Sequence, residues 1–374
     1  MIPIGISFYT FKKIGYVIDV YYERQKPEQH FGKFALFISF FPEILSGPID
    51  KAKDLIPQFK KQINPDFSKI TEGLRLILFG LFKKIVIADR LAMMVNEVYN
   101  HSNSYHGISL IIATYFFAFQ IYADFSGYTD IAIGVAKLFG IDIPENFDKP
   151  YTSKSIQEFW RRWHITLAMW LRDYIFLPLA YIFSRRFQFL KTKMLKPESA
   201  SYLMSIMITW FIGGLWHGSK TTFVVWGLLQ GIYLGTSFVT KKLRRRMNQK
   251  IFKIFPYVKI INFFKVVFIF HIVSFAWIFF RADNFNSASY IIINAFRDFK
   301  ISLADIIIGF TKTDFIIAVF GILLLITVDL IPGKINNWFE KRTAIIRWSV
   351  YYFLLLSIIF VGIYQHSSFI YLNF

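Results

Sequence analysis

The chain has 374 residues, of which 55% are hydrophobic and 20% aromatic, and 45 of them are phenylalanines. A soluble protein of this length has an apolar fraction of about one half or less. Its water-facing surface could not accommodate this many phenylalanines. The net charge is +19 and cysteine is absent, which excludes a disulfide framework, thiolate metal sites and a cysteine-bound acyl intermediate.

Apolar segments long enough to cross a bilayer recur along the chain, and we predict an all-α, multi-pass membrane protein. The first segment, Pro3–Tyr22, is interrupted by Lys12 and Lys13, which favours a broken or re-entrant element. The next segment, Phe34–Ile49, contains two prolines and a glutamate. Such irregular backbone is tolerated at membrane depth only where protein or a water-filled cavity surrounds it.

A longer helix is predicted for Gly73–Val95, where Lys83 and Lys84 near its middle indicate a tilted or bent element at an interface. Gly107–Ala123 is predicted to span the membrane, and Tyr128–Gly140 to form another short helix. Two separate helices are therefore expected in this part of the chain.

Between residues 141 and 155 the chain turns polar and contains many turn-forming residues. Thr152 or Ser153 is the predicted N-cap of the helix that follows, which carries the run FWRRWHITLAMWLRDYIF. The remaining predicted helices are Ser201–Gly214, Thr221–Thr240, Ile260–Phe280, Asp314–Ile331 and Ile345–Gly362, with a polar turn and a shorter helix in Arg281–Arg297.

Basic residues cluster between the apolar segments, at Lys51–Lys61, Arg185–Lys196, Lys241–Lys253 and Lys334–Arg347. Cytoplasmic loops of membrane proteins carry such an excess, and anionic lipid headgroups attract it. We therefore expect membrane lipids, and not nucleic acid, as partners of this charge. The sequence has neither a fixed-period repeat nor a low-complexity linker, so residues 1–374 are predicted to form a single domain.

The first histidine of interest is His164, which on a helical wheel shares one face with Trp160, Leu167 and Leu171. It is either a buried histidine satisfied by a neighbouring carbonyl or a functional group. The second alternative rests on the cost of ionisable groups at membrane depth, where they mostly lie on substrate paths or in reaction chambers.

The second histidine, His217, lies in the run GGLWHG, where Gly213, Gly214 and Gly218 allow close backbone approach and a break in the helix. A histidine at the broken end of a membrane helix suits a general base, because its ordinary pKa of about 6.5 lets it accept a proton at neutral pH. The alternative is a loop histidine at the membrane surface.

A polar run, QIYADFSGYTD, places Tyr122, Asp124, Ser126, Tyr128 and Asp130 beside an apolar helix. The two carboxylates could orient a histidine or bind a hydroxylated substrate. They could equally cap the helix that follows, as Ser and Asp often do before an apolar run.

Several familiar catalytic signatures are absent from the sequence: a GxSxG elbow, a GxxxxGK[ST] loop, an HExxH zinc site and paired CxxC motifs. No metal site is predicted. Two further histidines, His101 and His106, lie in a polar stretch and are predicted to be solvated.

Seven segments share their pattern with one known family: PIGISFYTFKKIGYVIDVYY (Pro3–Tyr22), FFPEILSGPI (Phe40–Ile49), QIYADFSGYTDIAIG (Gln120–Gly134), PENFDKPYTSKSIQEFWRRWHITLAMWLRDYIFLPL (Pro144–Leu179), GLWHG (Gly214–Gly218), FAWIFFRA (Phe275–Ala282) and FIYLNF (Phe369–Phe374). They resemble the membrane-bound O-acyltransferase (MBOAT) family, in its branch of alginate O-acetyltransferase-like proteins. The resemblance runs from the first residues to the last.

The resemblance implies a ring of membrane helices around a central funnel, with the reactive histidine near mid-membrane. By motif, His217 corresponds to the family's invariant catalytic histidine and His164 to its second conserved polar position. The family moves an acyl group from a cytoplasmic thioester donor to a hydroxyl, and this branch acetylates exported polysaccharides. The implied donor is acetyl-CoA or another acyl thioester, with no bound cofactor.

The resemblance also implies partners and a location. They are an exported polysaccharide acceptor, an SGNH-type esterase-fold protein outside the membrane, and the inner membrane of a bacterium. The acceptor is left open between an alginate-like exopolysaccharide, cellulose, peptidoglycan and a secondary cell-wall polymer. Family members usually have membrane helices before the PxGISFYTF motif, so we expect this chain to lack them, which would open the funnel to lipid.

In the resulting hypothesis, His217 takes the proton from a sugar hydroxyl as that oxygen attacks the acetyl thioester, and His164 polarises the carbonyl or orients the acceptor. Carboxylates would fix a histidine tautomer, and basic side chains would hold the phosphates of coenzyme A unless they only snorkel to the interface. The other candidate substrate- or donor-binding residues are Asp124, Asp130, Tyr128, Arg161, Arg162, Trp163, Trp216 and Lys83.

Other interpretations remain open from the sequence. A transporter or channel also has broken helices and buried polar groups. An inactive truncated form or accessory scaffold is a further alternative, and D-alanyl transfer to teichoic acid is the nearest rival among enzymes. The runs IYADFSGYTDIAIG and GISFYTF favour the polysaccharide-acetylating branch.

Overall fold

The computed structural model of the chain describes residues 5–62, 64–188, 196–254, 257–298, 302–333, 335–364 and 369. These residues contain helices and no β-strand, which confirms the predicted all-α class. They form two compact units, one from Met1–Asn146 and Ile293–Phe374 and the other from Phe147–Ile292.

The α-helices are α1 (Ile6–Tyr21), α2 (Phe31–Ser39), α3 (Ala52–Leu55), α4 (Phe67–Leu81), α5 (Asp89–Asn100), α6 (Ile108–Leu138), α7 (Ile156–Arg162), α8 (Ile165–Leu171), α9 (Leu177–Phe187), α10 (Pro197–Trp216), α11 (Thr221–Val239), α12 (Lys241–Ile254), α13 (Val258–Arg281), α14 (Phe285–Asn294), α15 (Leu303–Ile306), α16 (Lys312–Leu330), α17 (Ile335–Glu340) and α18 (Ala344–Val361). Two π-helical segments, Phe82–Ala88 and Arg172–Phe176, join α4 to α5 and α8 to α9 without a break. Short 3-10 turns occupy Phe41–Glu43, Gln58–Lys60, Ser102–Ser104 and Pro150–Thr152.

Seven helical segments of the described chain are long and apolar enough to cross a membrane, which confirms the multi-pass prediction. Most of the predicted helices lie within a few residues of the observed ones. The seven segments are Ile108–Leu138, Ile165–Phe187, Pro197–Trp216, Thr221–Val239, Val258–Arg281, Lys312–Leu330 and Ala344–Val361.

The prediction of a break in the first apolar segment is wrong over its described part, because α1 is one continuous helix through Lys12 and Lys13. Lys12 is buried, and its ammonium forms an ion pair with the buried carboxylate of Glu43. The charge is therefore neutralised by a side chain from another element, and the helix need not open to solvate it. Glu43 itself lies in the irregular stretch that the prolines predicted.

The prediction of two helices in residues 107–140 is also wrong, because α6 runs through the polar run QIYADFSGYTD as one helix of 31 residues. Asp124 and Asp130 lie in its interior and cannot act as caps. Each forms an ion pair with a lysine: Asp124 with Lys84 at 2.7 Å, and Asp130 with Lys83 at 2.7 Å. The two carboxylates of α6 therefore neutralise lysines of the π-helical segment Phe82–Ala88.

Glycines explain how closely α4 and α6 pack. A Cβ atom on Gly80 would lie 2.5 Å from the carbonyl oxygen of Gly127, and one on Gly73 would lie 2.6 Å from that of Gly134. The converse distances are 2.8 and 2.5 Å, so each pair leaves no room for a side chain on either helix. Contact of this kind lets two helix backbones touch, as small residues do in membrane proteins.

Candidate active site

The backbone around His164 is irregular. Helix α7 begins after Ser155, whose side chain accepts a hydrogen bond from the backbone N–H of Glu158, and it ends at Arg162. Trp163 is extended and His164 is left-handed, with φ of +42°, before α8 begins at the next residue. The predicted N-cap at Thr152 or Ser153 is therefore wrong, because those residues end the preceding turn.

The continuous helical face predicted for His164 is wrong for the same reason, since α7 and α8 are separate helices. The break lets Trp163 bury its ring, which is 1% exposed. That ring stacks on Phe159 at 5.5 Å and lies edge-to-face with Phe147 at 5.1 Å, and it also contacts Trp277 at 5.0 Å between ring centroids. Aromatic packing thus outweighs the local preference for helix.

His217 lies at the C-terminal end of α10. Its backbone N–H donates to the carbonyl of Gly214 at 3.1 Å, and the next residue, Gly218, has φ of +143°, which ends the helix. The imidazole is 2% exposed and meets two rings edge-on, Trp226 at 5.0 Å and 89° and Phe280 at 5.0 Å and 75°. The structure therefore places His217 in the interior, and the alternative of a surface loop histidine is wrong.

One of the glycines beside His217, Gly214, serves packing between helices. A Cβ atom on Gly214 would lie 2.5 Å from the carbonyl oxygen of Phe223 on α11. In return, a Cβ atom on Gly227 of α11 would lie 2.3 Å from the carbonyl oxygen of Trp210. The helix continues through both Gly213 and Gly214 to Trp216, so the predicted break falls a few residues later than the glycines suggested.

Trp216 brings the two histidines together. Its ring centroid lies 4.6 Å from that of His217 and 6.3 Å from that of His164. The topology explains this meeting: the span that follows His164 is packed against α10, which returns through the membrane and ends at His217. Both imidazoles therefore lie at the same end of these two spans, just outside the spanning residues.

Burial sets the charge state of this pair. His164 is 1% exposed, and desolvation lowers the pKa of both imidazoles below the ordinary histidine value. Repulsion from the protonated form of His217 lowers the pKa of His164 further. At neutral pH both rings are consequently uncharged, which is the form in which an imidazole accepts a proton.

Several residues that pack around the histidines carried no predicted role. Trp226 and Phe280 contact His217, and Trp277 stacks on Trp226 at 5.8 Å. Trp160 Nε1 donates a hydrogen bond of 3.1 Å to Oε1 of the buried Gln230. Trp277 and Phe280 belong to the run FAWIFFRA. The resemblance of this run to the family pattern was the sequence signal that could have placed these two residues near the site. Nothing in the local sequence around Gln230 indicated its partner.

The two arginines proposed for the donor phosphates differ in their surroundings. Arg162 forms an ion pair with Glu158 at 2.7 Å and donates to Thr152 Oγ1 at 2.8 Å. Arg161 is exposed, and its Nε donates to the backbone carbonyl of Gln157 at 3.3 Å. Phosphate binding by either arginine stays a prediction. Arg161 suits it better, because its guanidinium is exposed whereas that of Arg162 is engaged by Glu158.

The remaining predicted site residues belong to the first unit, where they have partners of their own. Lys84 contacts both Asp124 at 2.7 Å and Asp89 at 2.8 Å. Lys83 pairs with Asp130, and the hydroxyl of Tyr128 donates to the carbonyl of Pro42 at 3.2 Å. Orientation of a histidine or binding of substrate by these groups stays a prediction.

The fold and the site define a polytopic helical membrane protein that carries two buried histidines next to one tryptophan. The family model described as MBOAT, membrane-bound O-acyltransferase family, matches residues 29–282. The chain therefore belongs to this family, which confirms the resemblance seen in its motifs. Both histidines lie within the matched residues.

The match to curated relatives covers only part of the length of each relative. The peptidoglycan O-acetyltransferase of Helicobacter pylori is 34% identical over 77% of this chain and 55% of its own length. The probable alginate O-acetylase AlgI of Azotobacter vinelandii is 35% identical, over 81% and 56% respectively. The teichoic acid D-alanyltransferase of Bacillus subtilis is 28% identical, over 76% and 69%. The chain thus spans about half the length of the two O-acetylating relatives.

Proposed function

We propose that this chain is a membrane-bound O-acyltransferase that moves an acetyl group from a thioester donor to hydroxyls of a bacterial cell-surface polysaccharide. One observation carries the proposal: two buried, neutral imidazoles contact a single tryptophan at one end of the spanning helices. Membership of the family supports acyl transfer as the chemistry performed there.

In this proposal His217 is the general base. It accepts the proton of the acceptor hydroxyl while that oxygen attacks the carbonyl carbon of the thioester. The C–S bond then breaks, and the imidazolium returns the proton to the leaving thiolate, so an ester and a free thiol are formed. His164, whose ring also neighbours Trp216, polarises the carbonyl or orients the acceptor.

The aromatic surroundings suit this reaction because a thioester is also open to attack by water. Rings of Trp216, Trp226 and Phe280 pack against His217 and exclude solvent from it. An acceptor hydroxyl that reaches the imidazole therefore meets little competition from hydrolysis.

The substrates are inferred from relatives. One is a peptidoglycan O-acetyltransferase and another a probable alginate O-acetylase, which supports acetyl as the transferred group and a glycan as the acceptor. We propose acetyl-CoA or another acyl thioester as donor and the bacterial inner membrane as location. An SGNH-type protein outside the membrane is the proposed partner that completes transfer to the polymer.

The test is the O-acetyl content of surface glycans in cells that carry the wild type, His217→Ala or His271→Ala at equal membrane levels. His271 is a matched control, because it is an exposed histidine of α13 whose Nδ1 contacts a carbonyl of its own helix at 2.7 Å. We expect acetylation to fall at least about 100-fold in His217→Ala, the scale of general-base catalysis, and to persist in His271→Ala. Unchanged acetylation in His217→Ala would exclude the proposed role of this histidine.

D-alanyl transfer is the second candidate, supported by the similarity to teichoic acid D-alanyltransferases. Mild alkali releases both acyl groups from their esters, so the same samples distinguish acetate from D-alanine. Release of D-alanine that depends on His217 would reassign the acyl group and retain the catalytic role of the histidine.

A further inference from the structure

Helix α12 differs in composition from every spanning helix beside it. Its 14 residues, KKLRRRMNQKIFKI, include seven Lys or Arg and no acidic residue. The side chains from Lys241 to Met247 are all exposed. A helix with such a charge excess does not cross a bilayer, where each buried charge costs several kcal/mol.

The two neighbouring spans fix where α12 lies. Helix α11 ends at Val239 and α13 begins at Val258, and both are long and apolar enough to cross the membrane. The residues between two consecutive spans must lie at one face of the membrane, where the first span leaves and the second enters. Helix α12 is therefore held at the membrane surface by both of its ends.

Two large apolar side chains share one side of the first turns of this basic helix. Leu243 and Met247 are one turn apart and remain 58% and 51% exposed. Large apolar side chains on one face and cations on the other are the pattern of helices that lie in the plane of a membrane interface.

One basic residue anchors the helix and others stay available. Arg244 Nη2 donates to Oγ of Ser237 at 2.7 Å and to the carbonyl of the same residue, which ties the first turn of α12 to the last turn of α11. No ion pair involves Lys242, Arg245 or Arg246 among the residues that the structure describes. Within the described part of the chain, these three exposed cations at the membrane surface thus have no anionic partner.

We propose that α12 lies in the plane of the membrane interface and binds the phosphate groups of anionic phospholipids. Leu243 and Met247 enter the acyl-chain boundary, while Lys242, Arg245 and Arg246 contact the headgroups. The ligand is negatively charged lipid and not zwitterionic lipid, because the unpaired charge of the helix is entirely positive. This interaction is independent of the acyl transfer proposed for the histidines.

The absence of cysteine from the chain allows the position of the helix to be measured directly. Single nitroxide labels at Leu243→Cys, Met247→Cys and Arg245→Cys are compared in the full chain in lipid nanodiscs. We expect the first two labels to collide mainly with oxygen and the third mainly with a water-soluble nickel chelate. Equal exposure of all three labels to the chelate would overturn the in-plane placement.

Lipid selectivity is measured with spin-labelled phosphatidylglycerol and phosphatidylcholine in phosphatidylcholine nanodiscs. The wild type should immobilise the anionic lipid preferentially, and Lys242→Gln/Arg245→Gln/Arg246→Gln should lose that preference, by up to about fivefold per removed charge. The matched control, Arg245→Lys/Arg246→Lys, retains the charges and should retain the preference. Both variants leave the Arg244 anchor intact.

Three outcomes would overturn the lipid assignment. The first is an absence of anionic preference in the wild type. The second is a preference that persists in the triple glutamine variant, because it would place the lipid-binding cations elsewhere. If added coenzyme A displaced the spin-labelled anionic lipid from the wild type, a soluble phosphate ligand would replace lipid as the occupant.

Discussion

His164 adopts a left-handed backbone conformation in the candidate site. A left-handed φ of +42° costs a residue with a Cβ atom about 1 kcal/mol, and strain of this kind often accompanies function. The conformation ends α7, buries Trp163 and directs the chain into α8. The imidazole therefore depends on the strained backbone for its position.

A pair of substitutions separates this backbone strain from the loss of the imidazole. His164→Gly and His164→Ala both lack the ring, but only glycine adopts the left-handed region without cost. We expect His164→Gly to be more stable than His164→Ala by about 1 kcal/mol in the free energy of unfolding, measured by denaturant titration in detergent. Equal stabilities, or a more stable alanine variant, would contradict this account.

Asp50 is a buried carboxyl of the first unit with an unusual proton affinity. Burial, and then the negative charge of Glu43, raise the pKa of Asp50 to about 8, although Lys12 acts in the opposite direction. The folded protein therefore holds this proton more tightly than the unfolded chain does.

The sign of the resulting pH dependence follows from linkage. An unfolded aspartate loses its proton at about pH 4. The free energy of unfolding should therefore fall as the pH rises from that value to about 8, and then level off. Asp50→Asn mimics the protonated carboxyl and should flatten this dependence. Thermal midpoints from about pH 5 to about pH 9 test it, and parallel profiles for the two proteins would refute it.

At the scale of elements, close helix contacts place the site. The hairpin of α10 and α11 touches backbone to backbone at Gly214 and Gly227, and His217 and Trp226 are the neighbours that this contact brings together. In the first unit the same device joins α4 to α6, next to the lysine–aspartate pairs. Helix ends and charged partners are thus positioned by residues without side chains.

Gly227→Ala should disturb this hairpin, because its new Cβ atom would lie 2.3 Å from the carbonyl oxygen of Trp210, which cannot move without its helix. We expect a loss of about 2 kcal/mol in stability together with reduced glycan acetylation. Gly231→Ala is the control one turn away, since its Cβ atom meets the flexible side chain of Met207 at 2.9 Å. Equal effects of the two substitutions would show that the backbone contact at Gly227 is unimportant.

At the scale of the whole molecule, charge suggests an orientation for the second unit. The span ends at Phe187 and Val239 lie at the same face, because two spans separate them, and the sequence after each is rich in basic residues. By the rule that cytoplasmic loops are basic, we predict that this face is cytoplasmic. His164 and His217 lie at the opposite end of the same spans.

Single cysteines can test this orientation in a chain that has none. An impermeant maleimide added to intact cells should label Lys220→Cys, which follows His217, and should leave Lys196→Cys unlabelled until the membrane is permeabilised. Both native lysines are exposed, so access through the membrane is the main variable. Labelling of Lys196→Cys alone in intact cells would invert the orientation.

Much of this arrangement follows from the sequence, and the exceptions share a cause. Hydropathy located the spans, and the run GGLWHG located His217 at a helix end. The continuity of α6 was missed because Asp124 and Asp130 are satisfied by lysines about 40 residues away in the chain. The break at His164 was missed because it depends on rings from other helices around Trp163. Long-range partners decided each case.

The glycine pairs of α4 and α6 have a consequence for how this protein can change over generations. A side chain gained on one helix is commonly accommodated by a smaller residue on its neighbour, but Gly73, Gly80, Gly127 and Gly134 already have none to give up. No second-site substitution at the facing position can rescue a first one. The distance between these helices therefore cannot change through a series of single substitutions at these glycines. Variation among descendants of this protein is expected at the positions that flank them.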